Sequence, residues 1–114
     1  MKISHFTDAD MDTLLQQSIG IVSSVSDTYA HALVNANIIS KVRITNNKKR
    51  LGSCRIVQQG GRKSYQISIS RKTFELPGLA VSTMIHEVIH VLPGCMNHGN
   101  QFKRAADLVN IRYG

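Results

Sequence analysis

The sequence predicts an α+β fold, with helices toward both ends of the chain and a three-stranded antiparallel sheet between them. Three observations carry this expectation. Apolar residues recur at helical spacing before residue 38, alternate with period two between 41 and 70, and return to helical spacing from residue 79. With 114 residues the chain is long enough for one core and too short for two, so a single domain over 1–114 is expected. Apolar residues make up 42% of the chain and tryptophan is absent, so that core must be mainly aliphatic.

In chain order, Thr7 followed by Asp10 forms a helix-starting box, and Asp8, Asp10 and Asp12 suit the positive end of a helix dipole. Met11, Leu14, Leu15, Ile19 and Val22 then mark one apolar face. SDTYAHALVNAN (26–37) reads as a weaker helix capped by Ser26 or Asp27. In KVRIT (41–45) and SCRIV (53–57), Val42, Ile44, Cys54 and Ile56 alternate with polar neighbours. TNNKKRLG (45–52) is a polar turn between these two strands. Gly60-Gly61 signals a hairpin into SYQISIS (64–70), with Tyr65, Ile67 and Ile69 on one face. Pro77-Gly78 breaks the chain, LAVSTMIHEVIHVL (79–92) is helical up to Pro93-Gly94, and NQFKRAADLVN (100–110) is a last amphipathic helix.

Charge is unevenly placed. The net charge is +7, and no acidic residue occurs between Asp27 and Glu75. That interval holds Lys41, Arg43, Lys48, Lys49, Arg50, Arg55, Arg62, Lys63, Arg71 and Lys72. Such a block suits a polyanionic partner, with nucleic acid first in line, and equally a solvated surface that keeps a small protein soluble. Lys41, Arg43 and Arg55 are expected together on the outer face of the sheet. The start MKISHFTDADMD carries three aspartates and no apolar run, which is unlike a secretory leader, and no stretch is apolar enough to span a membrane. Two cysteines make no disulfide framework, so a reducing, cytoplasmic location is expected.

The densest chemistry lies in HEVIHVLPGCMNHG (86–99). On a helix, His86 and His90 share a face and can aim both imidazoles at one zinc ion. Glu87, next to the first of them, can reach a water on that ion without binding the metal and act as general base, as in metal-dependent peptidases. The competing account is a buried helix whose polar residues bind nothing. Unpaired imidazoles and a carboxylate in so apolar a run would be costly, which favours the metal. His98 is the preferred third ligand, after a loop that can turn the chain back. Cys54, Cys95, His31 and His5 remain open alternatives, with Glu75 and Asp107 less favoured. The spacing does not fit a metzincin, and the glycine-rich motif of a deformylase is missing.

LGSCRIV, YQISIS and VSTMIHEVIHVLPGCMNHGNQFKRAADLVN together resemble the SprT-like zinc metalloproteases, the family that includes Spartan. The resemblance covers roughly 40–110 and rests on Gly52 with Cys54, Ser70, the His86–His90 helix, and His98-Gly99 leading to Phe102. It implies a minimal zincin-like fold, one zinc ion held by His86, His90 and His98, and Glu87 as general base. It also implies an endopeptidase acting on a protein or peptide substrate, with proteins crosslinked to DNA as the class that studied relatives cleave. The basic residues Lys41, Arg43, Lys48, Lys49, Arg50, Arg55, Arg62 and Lys63 would hold the DNA. An edge strand, expected at 64–70, would take the substrate chain. Tyr65, Tyr113 and His31 are the chemical candidates for stabilising the oxyanion. A metal-stabilised nucleic-acid-binding module with little or no hydrolytic activity is the alternative, and Glu87 argues against it.

Overall fold

The computed structural model describes residues 8–76 and 78–113; Thr7 of the expected helix-starting box and His5 lie outside them. The elements are α1 (Asp8–Ser23), α2 (Asp27–Asn35), β1 (Arg43–Thr45), β2 (Gly52–Gln59), β3 (Arg62–Ser70), a 3-10 turn (Arg71–Glu75), α3 (Leu79–Ile89) and α4 (Asn100–Tyr113). The fold is α+β, as expected. Ser26 caps α2, its hydroxyl accepting from the Tyr29 N–H at 3.1 Å.

The sheet departs from expectation in one respect: it is mixed, not antiparallel, with the order β1-β3-β2. β2 and β3 form the expected hairpin, from Gly52 opposite Ile69 to Gln59 opposite Arg62. Gly60 and Gly61 close it with φ of 57° and 80°. Two consecutive positive φ values match the right-handed twist of paired strands and favour glycine at both positions. β1, however, pairs in parallel with the far side of β3, Arg43 opposite Ser68 and Thr45 opposite Ser70. The loop after β1 carries the chain over the end of β3. There the Ser70 hydroxyl donates to the Asn47 carbonyl at 2.6 Å and the Ser70 N–H to the Leu51 carbonyl at 2.8 Å. Period-two alternation looks the same for parallel and antiparallel partners, so this crossing is invisible in the pattern.

One consequence bears on the site. The strand at 64–70, expected as an edge, lies within β3 at the centre of the sheet, and the edge next to α3 is β2. Residues on one sheet face, Ile67 and Ile69 among them, pack with Met84 and Val88 of α3, Met11 and Leu15 of α1, and Phe102 and Ala105 of α4. Burying a side chain of that size contributes about 1.5–3 kcal/mol. α3 is therefore clamped between α1 and the sheet, with Ala80, Met84 and Val88 of its apolar stripe in the core. Its last residue is Ile89, earlier than the apolar run suggests, because Val91 and Leu92 are buried in a following turn.

Candidate metal centre

His86 and Glu87 lie in the last turn of α3, and His90 caps its C-terminus while keeping right-handed helical angles. The i to i+4 relation therefore survives the helix end. His98 reaches the same point from the loop before α4. The three Nε2 atoms form a triangle with sides of 3.1, 3.2 and 3.1 Å. Ligand atoms around a tetrahedral metal ion, with bonds of about 2.0–2.1 Å, are about 3.3 Å apart, so the triangle has the size such an ion requires. Among the described residues these are the three that converge on a metal-sized point. Cys54, Cys95, His31, Glu75 and Asp107, considered from sequence, do not join them.

The donor chemistry agrees. The Nδ1 of His90 lies 2.7 Å from the Cys95 carbonyl. A carbonyl only accepts, so Nδ1 carries the proton and Nε2 keeps a free lone pair. Burial, and then the neighbouring imidazoles, hold His86 below the usual histidine range. His90 is lowered too, mainly by burial and against the Cys95 hydrogen bond, which favours its charged form. A cation at the centre of the triangle could take the His90 Nε2 lone pair together with one from each of the other two imidazoles. The ring of Phe102 lies against all three imidazoles, with centroids 4.8, 4.7 and 5.0 Å from His86, His90 and His98. That contact is what the residue delivers from α4.

Glu87 is buried beside the first strand residue of β2, and the contact explains Gly52. A Cβ at Gly52 would lie 2.8 Å from Cγ2 of Thr83 and 2.9 Å from Oε2 of Glu87. Only a glycine lets the strand pass this close to the carboxylate. Gly52→Ala is expected to lower stability by about 1–3 kcal/mol in urea unfolding, the usual cost of forcing an extra carbon into packed surroundings. Unchanged stability would mean that β2 and α3 can separate here without cost. Burial pushes the Glu87 carboxyl up to about 7, with the positive charge of Arg50 opposing.

Burial, and secondarily the Glu87 charge, raises the Cys54 thiol to about 12. At pH 8 only about one molecule in 10⁴ would carry its thiolate, so native Cys54 is expected to alkylate roughly 10³-fold more slowly than a free cysteine. Mass-mapped labelling with iodoacetamide, with and without urea, checks this.

A cleft of about 210 Å³ opens over the three imidazoles and Glu87, walled by Arg50, Gly52, Ser53, Arg55 and Met96. Sequence reasoning did not place Arg50 and Arg55 at this cleft. Of the residues expected on the outer face of the sheet, Arg43 and Arg55 do come together there. Arg43, Arg50 and Arg55 line a second cavity on the outer face of the sheet. Lys48 joins Arg71 and Lys72 elsewhere. Lys63 sits over the Tyr65 ring, 5.2 Å from its centroid. Of the three oxyanion candidates, Tyr113 shares a cavity of about 250 Å³ with His86 and Phe102. Tyr65 packs against the core, and exposed His31 lies 3.0 Å from the Asn35 side-chain nitrogen.

The profile of the SprT-like family matches residues 22–113. The chain belongs to the SprT-like family. That family is associated with metallopeptidase-like proteins, and the match takes in β2, α3 and the loop bearing His98. Comparison with curated proteins and with solved structures gives no match. A three-histidine cluster that could hold a metal ion, on a SprT-like α+β fold, is thus the setting for any chemistry. Among the described residues no helix is long and apolar enough to cross a membrane.

Proposed function

We propose that this SprT-like protein is a zinc-dependent endopeptidase that acts on polypeptides bound or crosslinked to DNA, inside a compartment that keeps Cys54 and Cys95 reduced. The observation that carries the reading is the pairing of a three-ligand site with Glu87 in one open cleft. A purely structural site would usually close its fourth position with a protein ligand and would need no carboxylate beside it.

Zinc, held by His86, His90 and His98, would supply a water activated at neutral pH and polarise the scissile carbonyl. The protein's own groups do the rest. The outer edge of β2 faces away from β3, so an extended substrate can add to it as a further strand beside the cleft. Glu87 takes the proton of the attacking water and passes it to the departing amine. Its burial keeps that carboxylate basic enough to accept the proton, and the Cys95 carbonyl keeps His90 in the ligating tautomer. The cavity between α3 and α4, lined by Ile85, Ile89 and Val109, suits an apolar substrate side chain.

DNA contact rests on the remaining cations. Lys48, Arg71 and Lys72 border an open cavity of about 550 Å³, and Lys41, Lys49, Arg62 and Lys63 are exposed. Such groups would hold phosphates without reading bases. The test is cleavage of a basic protein by purified, zinc-loaded protein, with and without single- and double-stranded DNA and after chelation. Cleavage that needs zinc and rises with DNA supports the reading. Zinc and DNA binding without cleavage on any DNA form would instead favour a metal-stabilised binding module.

A further inference from the structure

Three arginines converge on one small hollow beside the metal cleft, and the sheet register explains how. Arg43 of β1 stands opposite Ser68 of β3, which stands opposite Ser53 of β2, so these three share a row on the outer face. Arg55, two residues beyond Ser53 on the same strand, points to that face as well. Arg50 comes from the loop that crosses over β3. There the Asn47 side chain accepts from the N–H groups of Lys49 and Arg50 at 2.9 and 3.1 Å, and the Asn47 carbonyl is tied to Ser70. The loop carrying Arg50 is therefore braced at several points.

The hollow has a volume of about 180 Å³, and among the described residues no carboxylate lines it. It shares Arg50, Gly52, Ser53 and Arg55 with the metal cleft, so a group seated in it lies next to whatever occupies that cleft. The lysine-bearing cavity differs on both counts: it is larger, about 550 Å³, and Glu75 borders it.

We infer that the Arg43–Arg50–Arg55 hollow binds the carboxylate of an aspartate or glutamate in the polypeptide substrate, and so selects acidic residues near the site of cleavage. The inference rests on the endopeptidase reading for the word substrate, but the binding it describes can be measured alone. Guanidinium groups match a carboxylate with paired, charge-assisted hydrogen bonds. A chain added to the β2 edge sends alternate side chains to the two sheet faces, and one set would project over Ser53 and Arg55. A nucleic-acid backbone presents many phosphates and calls for several spaced cations on an open surface, which suits the lysine-bearing side better.

The experiment measures fluorescence anisotropy of labelled ten-residue peptides on zinc-loaded Glu87→Gln protein and on metal-free wild type. One glutamate is moved position by position along a neutral peptide, each compared with its glutamine counterpart. The expected result is about tenfold tighter binding of the glutamate form at one or two positions, weakening as salt rises from about 50 to 500 mM. In Arg43→Gln and Arg55→Gln, both at exposed positions, the glutamate-to-glutamine ratio should fall to about one. Equal binding of the two forms at every position overturns the inference, and that comparison needs no arginine variant. Loss of oligonucleotide binding in the variants, without any peptide preference in wild type, overturns it in favour of a nucleic-acid site. Cleavage of the same peptides by zinc-loaded wild type separates the two readings. Preference without hydrolysis removes the peptidase and leaves the hollow, whereas hydrolysis without preference removes the hollow alone.

Discussion

Glu87→Gln is expected to reduce cleavage of a DNA-bound basic protein by roughly 10²–10⁴-fold while leaving zinc content at one ion per chain. That loss corresponds to about 3–5 kcal/mol of transition-state stabilisation. The substitution keeps the shape that packs against Gly52 and removes only the ability to take a proton. Metal content by atomic emission and cleavage rate on the same sample check both halves. Full cleavage by the variant would sink the general-base role. A second measurement guards against a trivial explanation. The Glu87 carboxyl is raised to about 7 in the fold, so the buried acid is tolerated best when protonated. In metal-free wild type, its contribution to stability is complete below the ordinary carboxylate range and is lost as pH rises through about 7. The glutamine variant lacks that loss. Measured without metal, its stability relative to wild type should therefore improve between pH 4.5 and 8 as carboxylate ionisation begins to penalise the wild-type fold.

The convergence of His86 and His90 is legible in the sequence because helical spacing is a strong geometric constraint. His86 and His90 had to share a face whatever the rest of the chain did. Gly60-Gly61 was equally direct, since a two-residue turn of glycines admits few alternatives. What could not be read depends on contacts distant in sequence. The parallel pairing of β1 is set by a loop passing over Ser70, and no alternation pattern encodes which side of a neighbour a strand will take. The same crossing put β3 in the centre, so the substrate edge moved from 64–70 to β2. It also delivered Arg50 to the cleft. Gly52 belongs to the motifs that carry the family resemblance, but its reason, the carboxylate lying against its Cα, is a contact thirty-five residues away in sequence.

His98→Ala tests the least constrained member of the site, because His98 comes from an exposed loop and not from the helix that fixes its partners. Removing it leaves two imidazoles of the 3.1–3.2 Å triangle. Structural zinc sites bind with apparent free energies of roughly 10–16 kcal/mol. Losing one of three protein ligands at that scale forfeits about 3–5 kcal/mol, or roughly 10²–10⁴ in affinity. Competition with a chromophoric chelator would measure it. The fold should survive, since an exposed side chain leaves no cavity when truncated. Phe102 still packs on His86 and His90. Asp107→Asn and Glu75→Gln provide the controls, because both carboxylates stand outside the cluster and should retain wild-type affinity. If His98→Ala kept its zinc while Asp107→Asn or Glu75→Gln lost it, the third ligand would be a carboxylate, and the loop after α3 would have to open to admit it. The triangle argues against that outcome: its sides already match a tetrahedral ion, and moving a carboxylate in would require displacing a ligand that fits.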